Sequence, residues 1–152
     1  MANTQSMCTS FMQELMTGTH NFTTGTGDTF KAALYLTSAT YNAATTAYSA
    51  TGEVSGTGYT AGGVAVTNGT SPLSTNTSAT AGTAYWTPSA SITYTSVTLS
   101  TAFDAVLIYN SSKSDKAVSV HTFGSQTVTA GTFTLTMPSN TTSTALLRLA
   151  TT

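Results

Sequence analysis

The sequence predicts an all-β fold, an antiparallel β-sandwich or jelly-roll-like barrel with a short N-terminal helix. Short apolar or alternating runs, typical of strands, are separated by clusters of Gly, Ser, Asn and Thr. Seven Tyr, six Phe and a net charge of -1 argue against disorder, which goes with few aromatic residues and high net charge. We therefore divide the 152 residues into an N-terminal arm, 1–24, and a single β-sandwich domain, 25–152.

The arm contains the one good helix candidate. Ser10 and Gln13 have the spacing of a capping box, and Gly18 is placed to end the helix. A helix of about two turns is not stable alone, so its apolar stripe must pack on something, either the sheet of the same chain or a neighbouring subunit. The residues of the stripe are Phe11, Met12, Leu15 and Met16.

Strands follow at intervals along the remaining chain. Between the first two we expect a long polar loop whose Tyr41, Tyr48 and Tyr59 lie on the sheet with their hydroxyls in water. Thr70 to Gly82 is predicted to be a second loop. Outside the central region the predicted strands are Thr29 to Leu36, Val64 to Thr67, Thr83 to Thr87, Ile92 to Leu99 and Ala145 to Leu149.

The central region, 103–138, predicts a three-stranded antiparallel meander. Its strands are Phe103 to Tyr109, Ala117 to Phe123 and Thr132 to Met137, and Pro138 ends the last because it has no amide hydrogen. A first hairpin closed by Ser111 and Lys116 sets Leu107 opposite Val120 and Tyr109 opposite Val118. A second turn is expected to set Phe133 opposite Thr122, with Leu135 beside Val120 and Met137 beside Val118.

One face of this meander is too apolar to be freely solvated. It carries Val106, Ile108, His121 and Phe123 among Ser and Thr. We expect it to be covered, by another part of the chain or by another copy.

Composition excludes several classes of partner. Four Lys and Arg cannot neutralise a run of phosphates, so we expect no nucleic acid. No apolar run is long enough for a spanning helix and the start of the sequence does not resemble a signal peptide, so we expect no membrane. The lone Cys8 cannot form an internal disulfide.

Cofactor and metal motifs are weak. Gly56 to Ala61 has the spacing of a dinucleotide fingerprint but lacks the preceding buried strand and the following helix, so we interpret its glycines as loop formers and expect no cofactor. His20, His121 and Cys8 are scattered, which predicts no metal site.

One cluster could be catalytic. The first hairpin sets His121 opposite Val106, which makes Asp104 its diagonal neighbour, and Ser119 lies two residues away. A hydroxyl-rich chain places Ser near any residue, so we predict no enzyme and assign no catalytic residue. His121 and Asp104 could instead contact a neighbouring copy, which would make assembly sensitive to pH.

Several stretches together resemble a group of small virion structural proteins of tailed bacteriophages. They are MCTSFMQELMTGTHNF, DTFKAALYLTSATYNAATTAYSATGEVSGTGYTAGG and AVLIYNSSKSDKAVSVHTFGSQTVTAGTFTLTMP, and they cover about two thirds of the chain. The resemblance implies a non-enzymatic decoration, or cement, protein of the capsid shell, located in the virion after assembly in the host cytoplasm. It implies no site residues.

Such a protein would bind the major capsid protein and its own copies, and shell symmetry favours a homotrimer. Candidate contact residues are the helix stripe and the second sheet face, namely Phe11, Met12, Leu15, Met16, Val106, Ile108, His121 and Phe123. A tail-fibre or receptor-binding module is the alternative, and would expose rings for sugar stacking. The available rings are Tyr41, Tyr48, Tyr59, Tyr85 and Trp86.

Overall fold

A computed structural model of the chain describes residues 2–77 and 81–151, and confirms the all-β class with a short N-terminal helix. Two antiparallel sheets pack against each other. The larger has the order β1-β7-β6-β2-β3 and the smaller β4-β5-β8. The elements are β1 Ser6–Met7, α1 Thr9–Met16, β2 Phe30–Leu36, β3 Val64–Val66, β4 Leu73–Ser74, β5 Thr83–Trp86, β6 Ile92–Asn110, β7 Lys116–Leu135 and β8 Leu147–Ala150.

The strands β6 and β7 form one long hairpin at the centre of the larger sheet. Leu107 pairs with Val120 and Val106 with His121, as predicted. Nearer the turn the register shifts by one residue, so Tyr109 pairs with Ala117 and not with Val118. The alternation of apolar residues predicted the register in the middle of the hairpin correctly. The shift beside the turn does not change that alternation, so the sequence pattern did not predict it.

The predicted second turn of the meander is wrong. Residues 117–123 and 132–137 belong almost wholly to one strand, β7, which pairs along its length with β6. Phe133 therefore pairs with Tyr94, and Leu135 with Ile92. Gly124 lies within β7, between Thr122 and Gln126, which pair with Ala105 and Phe103 of β6. The Thr and Val residues of this segment favour extended backbone.

The hairpin is sharply bent. Phe123 and Phe133 are ten residues apart in one strand, which would separate them by roughly 33 Å if the strand were straight, yet their ring centroids lie 5.3 Å apart. Both rings also contact Phe103, with centroids at 6.0 and 5.0 Å. The pairing of β6 with β7 shifts repeatedly between Tyr94 and Ala105. Such bulges bend paired strands, and here the bend brings the part of β7 that holds Phe133 back toward Phe103 and Phe123.

The predicted long loop, 37–63, is held on the larger sheet by its tyrosines. Tyr48 stacks on Tyr109 with ring centroids 4.9 Å apart, and Tyr59 stacks on Tyr94 at 5.9 Å. The expectation that the hydroxyls stay in water is wrong, because those of Tyr48 and Tyr59 each donate a 2.7 Å hydrogen bond to the Glu53 carboxylate. Burial and this carboxylate raise the pKa of both phenols, so they remain donors.

The glycines of the dinucleotide-like stretch bring this loop against β6. A Cβ on Gly56 would lie 2.0 Å from the carbonyl oxygen of Thr98, and Gly58 has a φ of +78° beside Ser96. A single bridge joins Thr57 to Thr98. Glycine is therefore required for close backbone approach, in agreement with the interpretation of these residues as loop formers.

The helix α1 is confirmed, but its predicted capping box is not. Cys8 is the N-cap residue and caps with no side-chain hydrogen bond, while Ser10 lies inside the helix. The start is set by tertiary bonds, in which Cys8 N–H donates to Val118 and Thr9 N–H to Ala43. Gly18, with a φ of +68°, follows the helix end as predicted.

Residues 2–24, predicted as an arm, contribute to the same core as the sheets. Strand β1 pairs with β7 through Ser6 and Val120, and Phe11 is 2% exposed. Phe22 stacks on Phe30 with ring centroids 4.3 Å apart. Of the two possibilities for the helix stripe, the structure shows packing of Phe11 on its own chain.

The apolar second face of the central hairpin is also covered by its own chain. Val106 and Ile108 are 3% and 1% exposed. They line a small cavity together with Ile92, Leu135 and Leu146. The first of the two possibilities for this face is therefore the one observed.

Candidate functional site

Helix α1 presents an exposed apolar stripe. Met12 is 43% and Met16 82% exposed, whereas Phe11 is buried and Leu15 half-buried. Residues four apart share one face of a helix, so the two methionines form a stripe on the surface beside the buried stripe of Phe11 and Leu15. Among the described residues the other exposed large apolar side chains are Leu73 and Leu149.

An apolar groove lies between this helix and the smaller sheet. We call it the helix groove; its volume is about 140 Å³. Leu15 lines it on the helix side and the exposed Leu149 on the sheet side, whereas Met12 and Met16 lie on the neighbouring face of the helix. Its lining is Met7, Phe11, Leu15, Phe22, Pro72, Ala84, Tyr85, Trp86, Leu147 and Leu149.

A buried carboxylate fixes the helix in place. Glu14 is 7% exposed and its Oε2 lies 2.8 Å from Nε2 of His20. Its Oε1 accepts a hydrogen bond from the ammonium group of Lys116, at the start of β7. The one acidic residue of the helix is thus tied both to the loop after the helix and to the central hairpin.

The geometry around His20 determines its tautomer. Oδ1 of Asn110 accepts a hydrogen bond from the Ser112 N–H at 3.0 Å, which fixes the orientation of the Asn110 amide. Nδ2 of Asn110 then lies 2.9 Å from Nδ1 of His20 and 2.8 Å from Oδ2 of Asp28. Because Nδ2 can only donate, Nδ1 of His20 accepts. The proton of the neutral imidazole then lies on Nε2 and is donated to Glu14.

The two carboxylates of this network are held in the ionised form. Burial alone would raise the pKa of Glu14, but the hydrogen bonds from Lys116 and His20 outweigh it and lower the pKa. Burial acts in the same way on Asp28, whose pKa is nevertheless lowered by bonds from Asn21 and Asn110 and by Lys113, 3.6 Å away.

The eight predicted contact residues are placed very differently from one another. Phe11, Val106 and Ile108 are buried within the chain. Leu15, His121 and Phe123 are partly covered. Only Met12 and Met16 of this set are exposed, and their contact with a partner stays a prediction.

Glu14 was missed by the sequence analysis. The signal available was a carboxylate next to Leu15 in an apolar stripe, with His20 six residues later. Its second partner, Lys116, is 102 residues away, and no local pattern connects the two.

A second, larger depression lies where β1 and β7 face β8. We call it the Ser119–His121 cleft, and its volume is about 510 Å³. The Oγ of Ser119 lies 2.9 Å from Nε2 of His121. Burial lowers the pKa of His121 to about 4, so its imidazole is neutral at neutral pH.

The predicted third member of this cluster is engaged elsewhere. Oδ1 of Asp104 accepts a 2.6 Å hydrogen bond from the side-chain amide of Asn3. Among the residues that the structure describes, no hydrogen bond joins Asp104 to His121. Ser119 and His121 are therefore brought together, and the predicted carboxylate of Asp104 does not orient the imidazole.

The aromatic rings expected at a sugar-binding surface take part in packing instead. Tyr41 and Trp86 are buried, and the indole N–H of Trp86 donates to Asn68 and to the carbonyl of Thr70. Tyr48, Tyr59 and Tyr85 are partly covered.

Within residues 2–77 and 81–151, no three His, Cys, Asp or Glu side chains are grouped so as to hold a metal ion. The single helix in those ranges is too short to cross a bilayer. Comparisons of the chain with protein-family models, with curated proteins and with solved structures find no match.

Proposed function

We propose that this chain is a structural protein of a tailed-phage virion, a capsid decoration protein that binds the head shell and stabilises it. The observation that carries the proposal is the exposed Met12 and Met16 stripe of helix α1, whose other face lines the helix groove through Phe11 and Leu15. In this proposal the chain acts as a homotrimer, contacts the major capsid protein and its own copies, and has no enzymatic role.

The chemistry of this surface suits a protein partner. Exposed apolar patches bordered by polar residues are typical of interaction sites, and the rest of this surface is rich in Ser and Thr. Methionine is flexible and polarizable, so it adapts to a partner surface. A net charge of -1 means that close packing of many copies meets little repulsion.

The helix that carries the stripe is held rigidly. Glu14 links it to His20 and Lys116, while Phe11 lies in the core. A helix backbone that is already fixed in place loses little entropy on binding, which favours affinity. On a shell that offers many equivalent positions, each bound copy adds its binding free energy to the stability of the shell.

The tail-fibre or receptor-binding alternative has less support. It requires exposed rings on loops, and the candidates Tyr41 and Trp86 are buried. Tyr48 and Tyr59 use their hydroxyls to bind Glu53.

The proposal is tested on particles of the phage that encodes the chain. Gold-labelled antibody against the chain should coat the head uniformly, and purified chain should co-sediment with shells that lack it. The double variant Met12→Ser with Met16→Ser should bind at least about tenfold more weakly, because two apolar contacts are lost.

The matched control is the double variant Thr127→Gln with Thr129→Gln, which changes two exposed residues of β7. It should bind like the wild type. Label confined to the tail, or shells that bind none of the chain, would overturn the proposal.

A further inference from the structure

The Ser119–His121 cleft has the size and the lining of a small-molecule site. Its volume of about 510 Å³ lies within the range of roughly 300–1,000 Å³ that such sites occupy. Its polar lining includes Gln5, Thr83, Ser119, His121, Thr142 and Arg148.

Among the described lining residues, Arg148 is the one that carries a formal charge at neutral pH. His121 is neutral there, and the remaining lining residues are uncharged. Within the described ranges no carboxylate lies within 4.0 Å of the guanidinium, in contrast to Lys113 and Lys116, which pair with Asp28 and Glu14. The cleft is therefore a site of positive potential that no described residue of its walls neutralises.

The guanidinium is also held in a fixed position. Its Nη1 donates to the carbonyl oxygens of Ser143 and Thr142, at 2.7 and 3.5 Å. A guanidinium has five N–H donors, and within residues 2–77 and 81–151 its Nη2 and Nε donate to no other group. An arginine with one nitrogen held by the backbone can use the other two for bidentate binding of a planar or tetrahedral oxyanion.

The uncharged groups of the cleft complement such a ligand. The hydroxyls of Thr83 and Ser119 and the amide of Gln5 are hydrogen-bond donors. In the neutral tautomer with its proton on Nε2, the imidazole of His121 donates to Oγ of Ser119. The hydroxyl proton of Ser119 can then point toward a ligand oxygen. Among the described residues no Phe, Tyr or Trp lines the cleft, so it offers no large ring for stacking a sugar.

We propose that the Ser119–His121 cleft binds a small oxyanion, a phosphate or a carboxylate, through Arg148 with help from the hydroxyls of Ser119 and Thr83. This site lies apart from the methionine stripe and does not depend on the proposed function.

The test is a titration of the ¹⁵N-labelled full chain, followed by amide chemical shifts at constant ionic strength. One arm adds inorganic phosphate and the other adds acetate. We expect saturable shifts at Ser119, His121 and Arg148 in at least one arm. Saturation by phosphate alone would identify a phosphate site, and saturation by acetate alone a carboxylate site.

Variants distinguish a built site from general attraction of anions. Arg148→Gln should weaken binding about tenfold or more, since a charge-assisted bidentate contact is lost. Lys31→Gln removes the same charge from β2, away from the cleft lining, and should leave binding unchanged. Thr83→Val provides a second, uncharged test and should weaken binding by a smaller factor.

Linear shifts without saturation in both arms would overturn the proposal. Equal affinity of the wild type and Arg148→Gln would do the same. A dispersed spectrum of each variant before titration shows that it is folded, so weak binding reports on the site.

Discussion

Replacing His121 by Gln should make the free energy of unfolding depend less on pH in mild acid. The folded state holds the pKa of His121 at about 4, against an ordinary value of 6.5, because burial disfavours the charged imidazolium. Since the folded-state pKa is the lower of the two, the unfolded chain takes up a proton first as the pH falls. Acid therefore favours unfolding over this window.

The expected magnitude follows from the size of the pKa difference. A pKa difference of one corresponds to about 1.4 kcal/mol. At about pH 4, protonation of His121 in the unfolded chain has therefore lowered the free energy of unfolding by about 3 kcal/mol. Of this, about 2 kcal/mol is lost between roughly pH 7 and pH 5. Glu14 and Asp28 have lowered pKa values, so their contribution is lost only at more acidic pH, below their ordinary 4.5 and 3.8.

Urea unfolding at a series of pH values measures the effect. Trp86 is the only tryptophan and is 2% exposed, so its fluorescence reports on unfolding. The free energy of unfolding of the wild type should fall by about 2 kcal/mol from about pH 7 to pH 5, while that of His121→Gln should change much less. Identical pH dependence of the two proteins would refute the reasoning, as would an imidazole that titrates near 6.5 in the NMR spectrum of the folded chain.

Two further substitutions test the helix network and the loop packing. Glu14→Gln should lower the free energy of unfolding by about 1–3 kcal/mol, because a buried carboxylate that accepts two hydrogen bonds loses its charge. Lys113→Gln changes a half-exposed ammonium group 3.6 Å from Asp28 and should cost about 0–1 kcal/mol, and an equal loss in both would contradict this account. Gly56→Ala should lower the melting temperature by several degrees, because its methyl group would lie 2.0 Å from a backbone oxygen of β6. Gly124→Ala meets open space, so scanning calorimetry should find its melting temperature within about a degree of the wild type.

Much of the fold could be predicted because its signals are local. Alternation of apolar residues set the pairing of Leu107 with Val120, and Gly18 marked the end of the helix. The pairing of strands within the smaller sheet had no comparable signal, since β4 is only two residues long.

The bent hairpin could not be predicted from the same signals. Gly124 lies between two apolar runs, and a glycine there is as suitable for a turn as for an exposed strand position. The structure shows a continuous, bent strand in which Phe103, Phe123 and Phe133 pack against one another, and these tertiary contacts leave no local pattern in the sequence.

The candidate sites were predicted only in part, for a related reason. The helix pattern identified the methionines as apolar, but their exposure depends on which face Glu14 and Phe11 turn inward. Ser119 and His121 share a strand face, so their contact followed from the register. The opposite wall of the cleft comes from β8, and Arg148 was not predicted to belong to it.

The distance along the chain between Glu14 and Lys116, 102 residues, has a consequence for synthesis. Asn3 and Asp104 are 101 residues apart, and β1 needs β7 as its pairing partner. While the ribosome translates the intervening segment, residues 2–16 have left the exit tunnel without these partners. We therefore expect the helix and β1 to dock late, after translation of β7, and a high contact order of this kind goes with slow folding.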